Sequence, residues 1–248
     1  MYERFAEVYD ALMDDFDYPK WAEYYLELIR RAGMEPKRMA ECGCGTGSMT
    51  VEFADMGLRV TGMDLSPDML RIAGQKARRA GQRIVFAEQD MRHLAVPRPV
   101  DCVVCACDGV NYLTEAADLA AFFGAAFVAL KPGGVLAFDV STGAKLLALP
   151  GNVYAEDRDE VSWMWFSEAL PDRRVRMEIA FFLRRADGLY ERFDEAQVQR
   201  AHEPEELAAA LEAAGFAQIR LYGDRTFAPP EPGEGRIHVT AVRPGESH

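Results

Sequence analysis

Apolar residues recur along this chain with two different periods, and the period changes with position. Near the N-terminus they are spaced by three and four, as on one face of a helix; they are Tyr2, Phe5, Tyr9, Leu12 and Met13. Pro19 stands at the start of a second apolar stripe that ends near Gly33. Residues 1–33 are therefore predicted to form helices that precede the first strand.

Short apolar runs alternate with helical stretches from residue 34 to residue 152. The predicted strands are 38–41, 59–64, 83–88, 100–107 and 135–140, and the predicted helices are 49–56, 67–80 and 115–130. Ser66 and Thr114 occupy positions suited to N-caps, and residues 131–134 (Lys-Pro-Gly-Gly) are predicted to turn. Alternating strands and helices with short connections favour an α/β fold with a parallel sheet covered on both faces.

Alternation with a period of two replaces the helical spacing between residues 153 and 202. Every second residue from Val175 to Leu183 is apolar, as in a half-exposed antiparallel strand. Segments 162–170, 174–184 and 190–202 are predicted to form a small antiparallel β subdomain inserted at 153–202. Helix 204–214, ended by Gly215, and strands 217–222 and 236–242 then complete a main domain of residues 34–152 and 203–248.

Composition and charge narrow the class of protein. The 248 residues are 49% hydrophobic and 27% charged, which is ordinary for a globular chain that buries a large core. The net charge of −12 makes nucleic acid an unfavourable partner, since phosphate binding requires a cationic face. No apolar signal core is visible at the N-terminus, and the longest apolar run, 119–130, is too short to span a bilayer. We predict a cytoplasmic protein with no membrane partner.

A glycine-rich turn with a carboxylate nearby is the candidate ligand site. Residues 41–47 read Glu-Cys-Gly-Cys-Gly-Thr-Gly between a predicted strand and a predicted helix, and Asp64 ends the next strand. Glycines let a ligand approach the backbone, and the helix N-terminus offers free N–H groups. A carboxylate at the second strand end can accept two hydrogen bonds from a ribose diol. These features predict a nucleoside-binding βαβ unit.

The spacing of the glycines distinguishes a dinucleotide-binding turn from other nucleoside-binding turns. The dinucleotide fingerprint G-x-G-x-x-G would need glycine at 43, 45 and 48, but residue 48 is serine and the third glycine is Gly47. The pattern instead resembles motif I of class I S-adenosylmethionine (SAM)-dependent methyltransferases. Three further segments resemble that family's motifs in the same order, so the resemblance spans residues 38–140; they are Gln89-Asp90-Met91, 101–107 and 129–136.

Other segments extend the resemblance over almost the whole chain. Residues 2–10 resemble the N-terminal helix of small-molecule N-methyltransferases, and residues 107–113, 162–166 and 190–200 resemble bacterial YqeM-like methyltransferases. The resemblance implies a Rossmann-like, seven-stranded methyltransferase sheet. It also implies that residues 1–33 form a helical lid, whose aromatic face covers the SAM cleft and excludes water.

The resemblance makes SAM the expected cofactor and implies which residues hold it. Asp64 would take the ribose hydroxyls, while Asp90 and Met91 would read the adenine edge. Cys107 and Asp108 would end the fourth strand beside the sulfonium. The complete set of implied cofactor residues is Tyr9, Glu41, Gly43, Gly45, Gly47, Asp64, Leu65, Asp90, Met91, Cys107 and Asp108.

The expected reaction is in-line displacement of the methyl group onto a nitrogen or oxygen of a small-molecule acceptor. The protein then mainly aligns the acceptor and excludes water. The candidate catalytic residues are Tyr9, Asn111, Tyr112, Arg200 and His202, with Tyr2, Trp163 and Trp165 as further candidates on the acceptor side. Structural alternatives stay open: Tyr9 and the tryptophans could be packing residues, Arg200 an ion-pair partner, and His202 a helix cap.

Other functional classes also stay open at this point. They are a methyltransferase acting on RNA or protein, a SAM-binding module without turnover, and a nicotinamide dehydrogenase, which the serine at position 48 disfavours. The protein could be a monomer or a homodimer.

The cysteines raise the alternative of a metal site. Cys42, Cys44, Cys102, Cys105 and Cys107 fall at or near the ends of two predicted strands. Disulfides are not expected in a cytoplasmic chain, and the spacing matches no zinc finger or zinc ribbon. We therefore predict no metal. Because strands one and four are neighbours in the expected sheet, Cys44 and Cys107 should end near each other.

Overall fold

Two β-sheets and seven α-helices make up the part of the chain that the computed structural model describes, residues 5–245 without the side chain of Glu7. Tyr2 lies outside the described residues. The strands are β1 Arg38–Cys42, β2 Arg59–Asp64, β3 Val85–Glu88, β4 Val100–Cys105, β5 Leu130–Ser141, β6 Val153–Asp157, β7 Val161–Leu170, β8 Arg174–Arg184, β9 Tyr190–Arg200, β10 Ala217–Gly223 and β11 Arg236–Val242. The helices are α1 Phe5–Leu12, α2 Tyr18–Arg31, α3 Ser48–Asp55, α4 Pro67–Arg79, α5 Ala116–Ala129, α6 Gly143–Leu146 and α7 Pro204–Ala213, with 3₁₀ helices at Met91–His93 and Gly109–Tyr112.

The larger sheet has seven strands in the order β10-β11-β5-β4-β1-β2-β3. The five strands β1 to β5 run parallel, and β11 lies antiparallel between β5 and β10. The predicted fold class is confirmed. The strand order reverses between β1 and β4, so the connections leave a crevice at the carboxyl ends of these strands, where open α/β sheets bind ligands.

Two hydrophobic layers cover the larger sheet. On one face, α5 and α7 bury Phe122, Phe123 and Leu207. On the other face, α2 and α3 bury Tyr25 and Phe53. Both layers are needed because strands of a parallel sheet are apolar on both faces. Within residues 5–245, no helix is both long and apolar enough to cross a membrane.

The second sheet is the predicted antiparallel unit, with strand order β6-β7-β8-β9. The sequence pattern did not indicate β6, because all five of its residues are exposed and none alternates with a buried neighbour. The inner face of this sheet packs on α1 through Phe181 and Val8. The boundaries 33, 152 and 202 between lid, main domain and insertion stay predictions.

Three local expectations were wrong. Residues 131–134 belong to β5 instead of a turn, because the N–H of Gly133 and the C=O of Gly134 each bond to Arg243 at 2.8 Å. Glu115, not Thr114, precedes the first turn of α5. The strand β4 ends at Cys105, two residues earlier than expected. Ser66 does cap α4, since its hydroxyl accepts from the N–H of Met69 at 3.2 Å.

Candidate active site

Two cavities adjoin each other at the carboxyl ends of β1 and β4. The larger has a volume of about 220 Å³ and the smaller about 40 Å³. Five residues line both cavities, and they are Tyr9, Gly43, Gly45, Ala106 and Cys107. The larger cavity extends towards the end of β2, and the smaller extends towards Glu41 and the start of α3. This is the crevice that the strand order creates.

The glycine turn between β1 and α3 has a backbone that other residues rarely adopt. Gly43, Gly45 and Gly47 have φ values of +66°, +54° and +75°. At Gly47 a Cβ atom would also lie 2.8 Å from the Cβ of Ala73, so a side chain would collide with α4. Gly43 and Gly45 bring the backbone to the surface of both cavities. Gly47, which was expected to bind the cofactor, is among the lining residues of neither cavity and occupies the N-cap position of α3.

Asp64 lines the larger cavity at the end of β2. Its Oδ2 accepts from the N–H of Gly45 at 2.8 Å, and its Oδ1 accepts from the N–H of Ser66 at 2.9 Å. Burial raises the pKa of Asp64, and these bonds to backbone N–H groups oppose the rise. The carboxylate is therefore fixed in place with one lone pair of each oxygen free of these two bonds. Leu65 lines the same cavity with 62% of its surface exposed.

The third strand contributes differently from expectation. Met91 lines the larger cavity, but Asp90 is not among its lining residues. The carboxylate of Asp90 accepts from the backbone N–H of Arg92 at 2.9 Å and from its guanidinium, which lowers the pKa of Asp90. Gln89 lines the cavity instead, with its amide paired to the backbone of Ala95. Its only sequence signal is its place in the motif before Asp90.

Glu41 lines the smaller cavity and is only 2% exposed. Burial raises its pKa from 4.5 to about 8, the negative charge of Asp64 adds to the rise, and Thr50 opposes it. Its Oε2 has no hydrogen-bond partner among the described residues. A buried carboxyl oxygen without a partner is costly, so this position is suited to receiving a donor from a ligand.

Helix α1 is fastened to the rim of the smaller cavity by polar contacts that the sequence pattern did not indicate. Asp10 accepts from the hydroxyl of Thr46 at 2.6 Å and from Nζ of Lys76 at 2.9 Å. Lys76 also donates to the hydroxyl of Ser48 at 2.5 Å. Thr46 and Ser48 line the smaller cavity, as does Tyr18 at the start of α2.

Two of the candidate catalytic residues line the cavities. Tyr9 of α1 lines both, with its ring edge-on to Phe5 at 5.4 Å between centroids. Burial raises the pKa of Tyr9 well above 10, so its hydroxyl stays protonated at neutral pH. Tyr112 lines the larger cavity, and its hydroxyl donates to Oε1 of Gln197 on β9 at 2.5 Å. The second sheet therefore approaches the larger cavity through Gln197.

Three other candidates, Asn111, Arg200 and His202, are not among the lining residues of either cavity. The Nδ2 of Asn111 donates to the carbonyls of Ser141 at 2.9 Å and Arg200 at 2.8 Å, and its Oδ1 accepts from the N–H of Ser141. Arg200 pairs with Glu206 at 2.6 Å. These side chains join β5, β9 and α7 behind the cavity wall.

His202 is fully buried beside the carbonyl of Val110, and burial lowers its pKa. It does not cap α7, whose N-cap position is Glu203. The tryptophans pack in the second sheet: Trp163 lies against the cluster of Val8 and Phe181, and Trp165 lies against the cluster of Leu146 and Leu149.

The cysteines lie where the neighbouring strands predict. β1 pairs with β4, and Cys44 and Cys107 line the smaller cavity together. Within residues 5–245, no group of three or more His, Cys, Asp or Glu side chains is arranged to hold a metal ion. Asp108 is not among the cavity-lining residues; its carboxylate contacts Arg236 and lies 3.8 Å from Nζ of Lys145.

The strand order and the glycine turn paired with Asp64 define the fold of a SAM-dependent methyltransferase. A family model described as a methyltransferase domain matches residues 39–134. The chain is 35% identical over 246 residues to YqeM of Bacillus subtilis strain 168, named as a candidate methyltransferase, covering 98% of this chain and 97% of YqeM. A Geobacillus protein with a similar designation is 34% identical over 246 residues. The chain therefore belongs to the YqeM-like methyltransferase family.

Solved structures agree with this assignment. A SAM-dependent methyltransferase from Clostridium acetobutylicum is 31% identical, with a TM-score of 0.88 over 98% of this chain and 99% of that chain. CalS10, an amino pentose methyltransferase from Micromonospora echinaspora solved with SAM bound, is 27% identical, with a TM-score of 0.77 over 95% of this chain and 96% of that chain. SAM is the cofactor of this fold.

Cys107 offers a chemical probe of the site. It is half-buried and lines both cavities, whereas Cys42, Cys44, Cys102 and Cys105 are buried. We expect iodoacetamide to label the native protein once, at Cys107, and slowly, because burial raises the pKa of this thiol. A saturating concentration of SAM should protect it. Peptide mass spectrometry checks this, and equal labelling with and without SAM would contradict the position of the site.

Proposed function

We propose that this protein transfers the methyl group of SAM to a nitrogen or oxygen of a small-molecule acceptor by in-line displacement. The arrangement of the two cavities is the main support. The larger cavity offers Asp64 for ribose hydroxyls and the exposed face of Leu65 for an adenine ring. The smaller offers Glu41, whose unpartnered Oε2 suits an ammonium donor. The sulfonium joins these two halves of SAM, so Tyr9 and Cys107, which line both cavities, would flank it.

The chemistry needs little from the protein beyond alignment. SAM supplies a methyl group that is already electrophilic and has a good leaving group. Tyr9 keeps its proton at neutral pH, so it acts as a hydrogen-bond donor and a packing surface rather than as a base. α1 covers the cavities and excludes water, while Tyr112 borders the side that faces the second sheet. The acceptor is therefore expected to arrive with a free lone pair.

Three observations support a small molecule as the acceptor. The net charge of −12 opposes the binding of nucleic acid. The second sheet and α1 meet beside the larger cavity, where Phe5 of α1 packs against Phe181 at 5.5 Å between ring centroids. CalS10, which is described as an amino pentose methyltransferase, offers a precedent for a small acceptor in this fold. Cytoplasmic location and oligomeric state stay predictions.

We expect SAM, and not NAD, to bind in calorimetry. Asp64→Ala should weaken SAM by about 1–3 kcal/mol, because two ribose hydroxyls lose a fixed acceptor. Asp68→Ala is the matched control, since Asp68 is an acidic residue on the nearby first turn of α4 and lies outside both cavities. Unchanged affinity in Asp64→Ala, or equal losses in both variants, would remove Asp64 from the site.

Transfer of labelled methyl groups tests the acceptor class. The protein is incubated with methyl-labelled SAM and with separate small-molecule, RNA and protein fractions of a cell extract. We expect label in the small-molecule fraction, and loss of this label with Asp64→Ala but not with Asp68→Ala. Label found mainly in RNA or protein would contradict the proposed acceptor class, while leaving the cofactor assignment intact.

A further inference from the structure

The turn that follows β4 has an unusual backbone. Cys107 and Asp108 are consecutive non-glycine residues with φ values of +56° and +64°. A non-glycine residue in the left-handed region is strained, and it persists there only where its surroundings hold it in place. Ala106 and Cys107 line both cavities at the position proposed for the sulfonium. The strained turn therefore forms the wall at which the methyl group would be transferred.

Asp139 holds this turn from behind. Its Oδ1 accepts from the N–H of Cys107 at 2.8 Å, and its Oδ2 accepts from the N–H of Asp108 at 3.1 Å. Two successive N–H groups in this conformation form a concave site that binds an anion. Asp139 is fully buried on β5 and is not among the residues lining either cavity.

Two residues from other elements fix Asp139 in place. The hydroxyl of Tyr25 on α2 donates to its Oδ1 at 2.5 Å. The guanidinium of Arg236 on β11 contacts both Asp139 and Asp108 and lies 5.2 Å from the centre of the Trp21 ring. Arg236 holds the pKa of Asp139 below its ordinary value, against the effect of burial, so Asp139 stays ionised.

We infer that Asp139, held by Tyr25 and Arg236, is a positioning group that sets the Ala106–Cys107 wall against the junction of the two cavities. It acts on the cofactor without touching it, through two backbone N–H groups. This inference rests on the proposed placement of SAM across both cavities.

Asp139→Asn tests the inference. The asparagine side chain has nearly the same size but only one acceptor oxygen, so it cannot accept from both N–H groups. The dissociation constants of SAM and of adenosine are measured by calorimetry. Adenosine would occupy the larger cavity alone, whereas SAM spans the junction. We expect Asp139→Asn to weaken SAM by about tenfold or more and adenosine by less than about threefold, because one buried N–H loses its partner at the junction.

Arg236 provides a rescue experiment and a matched control. Arg236→Met should weaken SAM selectively in the same way, and Arg236→Lys should restore much of the affinity, since one nitrogen of Arg236 contacts both carboxylates. Arg243→Met is the control, because Arg243 follows β11 at the end opposite Arg236, and its guanidinium donates to the carbonyls of Phe127 on α5 and of Leu130 at the start of β5. It should lower the melting temperature and leave both dissociation constants unchanged.

These measurements distinguish a failure of the positioning role of Asp139 from a failure of the proposed placement of SAM. If the wild-type protein binds SAM no more tightly than adenosine, the placement across two cavities fails. If the wild type does favour SAM but Asp139→Asn keeps this preference, the positioning role is wrong. Tyr25→Phe, which changes no charge, covers the case in which Asp139→Asn does not fold. A loss of SAM affinity in Arg243→Met equal to that in Arg236→Met would also overturn the inference.

Discussion

Glu41→Gln is expected to stabilise the protein above neutral pH and to weaken SAM binding at the same time. Glu41 is buried, and its pKa of about 8 means that the folded protein holds this side chain protonated at a pH where the unfolded chain gains free energy by ionising it. Glutamine has nearly the same shape and no charge to bury. The same substitution removes the carboxylate proposed to meet the ammonium group of SAM. A functional group that destabilises its own fold is typical of a binding site.

The stabilisation by Glu41→Gln is expected to grow as the pH rises. In the unfolded chain Glu41 loses its proton near pH 4.5, but in the folded protein it keeps the proton up to about pH 8. The stability that this group contributes is complete below pH 4.5 and is lost as the pH rises to 8. The free energy of unfolding of Glu41→Gln, relative to wild type, should therefore increase by about 1.4 kcal/mol per pH unit across this window.

Urea unfolding at several pH values and SAM calorimetry measure the two effects. Glu88→Gln is the control, because Glu88 is an exposed glutamate at the end of β3 and lies outside both cavities. It should change neither quantity. A pH-independent difference between Glu41→Gln and wild type would show that Glu41 does not titrate as proposed. Full SAM affinity in Glu41→Gln would show that it does not meet the ammonium group.

Removal of residues 1–13 is expected to leave the main sheet folded and to abolish methyl transfer. Phe5 and Tyr9 of α1 line the larger cavity, so their loss opens it to water. SAM should bind about tenfold more weakly or worse, which corresponds to about 1.4 kcal/mol, because the cofactor loses its apolar contacts with both side chains. The melting temperature should fall only modestly, because Val8 packs in a small cluster apart from the main core.

Thermal melts and SAM titration of the truncated protein separate a lid from a permanent part of the core. Normal SAM affinity together with a collapse of the melting temperature would contradict the lid. Asp10→Asn tests the same idea in the full chain, because it weakens the contacts with Thr46 and Lys76. It should raise the dissociation rate of SAM. Asp17→Asn is its control, since Asp17 makes an exposed pair with Lys20 on α2.

The sequence predicted those parts of the site that are local in the chain. The role of Asp64 as a cavity-lining carboxylate could be predicted from its place at the end of an apolar strand. The spacing of the glycines likewise predicted the tight turn between β1 and α3. The sequence also placed Asn111 and Tyr112 together, yet of these two neighbours in the 3₁₀ helix Gly109–Tyr112, Tyr112 lines the larger cavity and Asn111 does not. Adjacent residues in such a turn diverge, and periodicity does not show which of them faces the ligand.

Contacts between distant residues account for most of what the sequence did not reveal. Lys76 lies 66 positions from Asp10, and Arg236 lies 97 positions from Asp139. The basic residues on α4 have the pattern of a solvated helix face, so the sequence did not predict that Lys76 pairs with Asp10. Charged partners of this kind become visible only when the fold brings together their helices and strands.

The hydrogen bonds of Asn111 have a consequence for how this protein could change. One side-chain nitrogen joins the carbonyl of Ser141, shortly before the second sheet, to that of Arg200, where β9 ends. The chain thus leaves the seven-stranded scaffold and rejoins it at almost the same point. Insertions whose ends lie close together are well tolerated by a host fold. The segment between Ser141 and Arg200 can therefore be viewed as an exchangeable insertion, whose replacement would change the surface beside the larger cavity while leaving the cofactor-binding sheet intact.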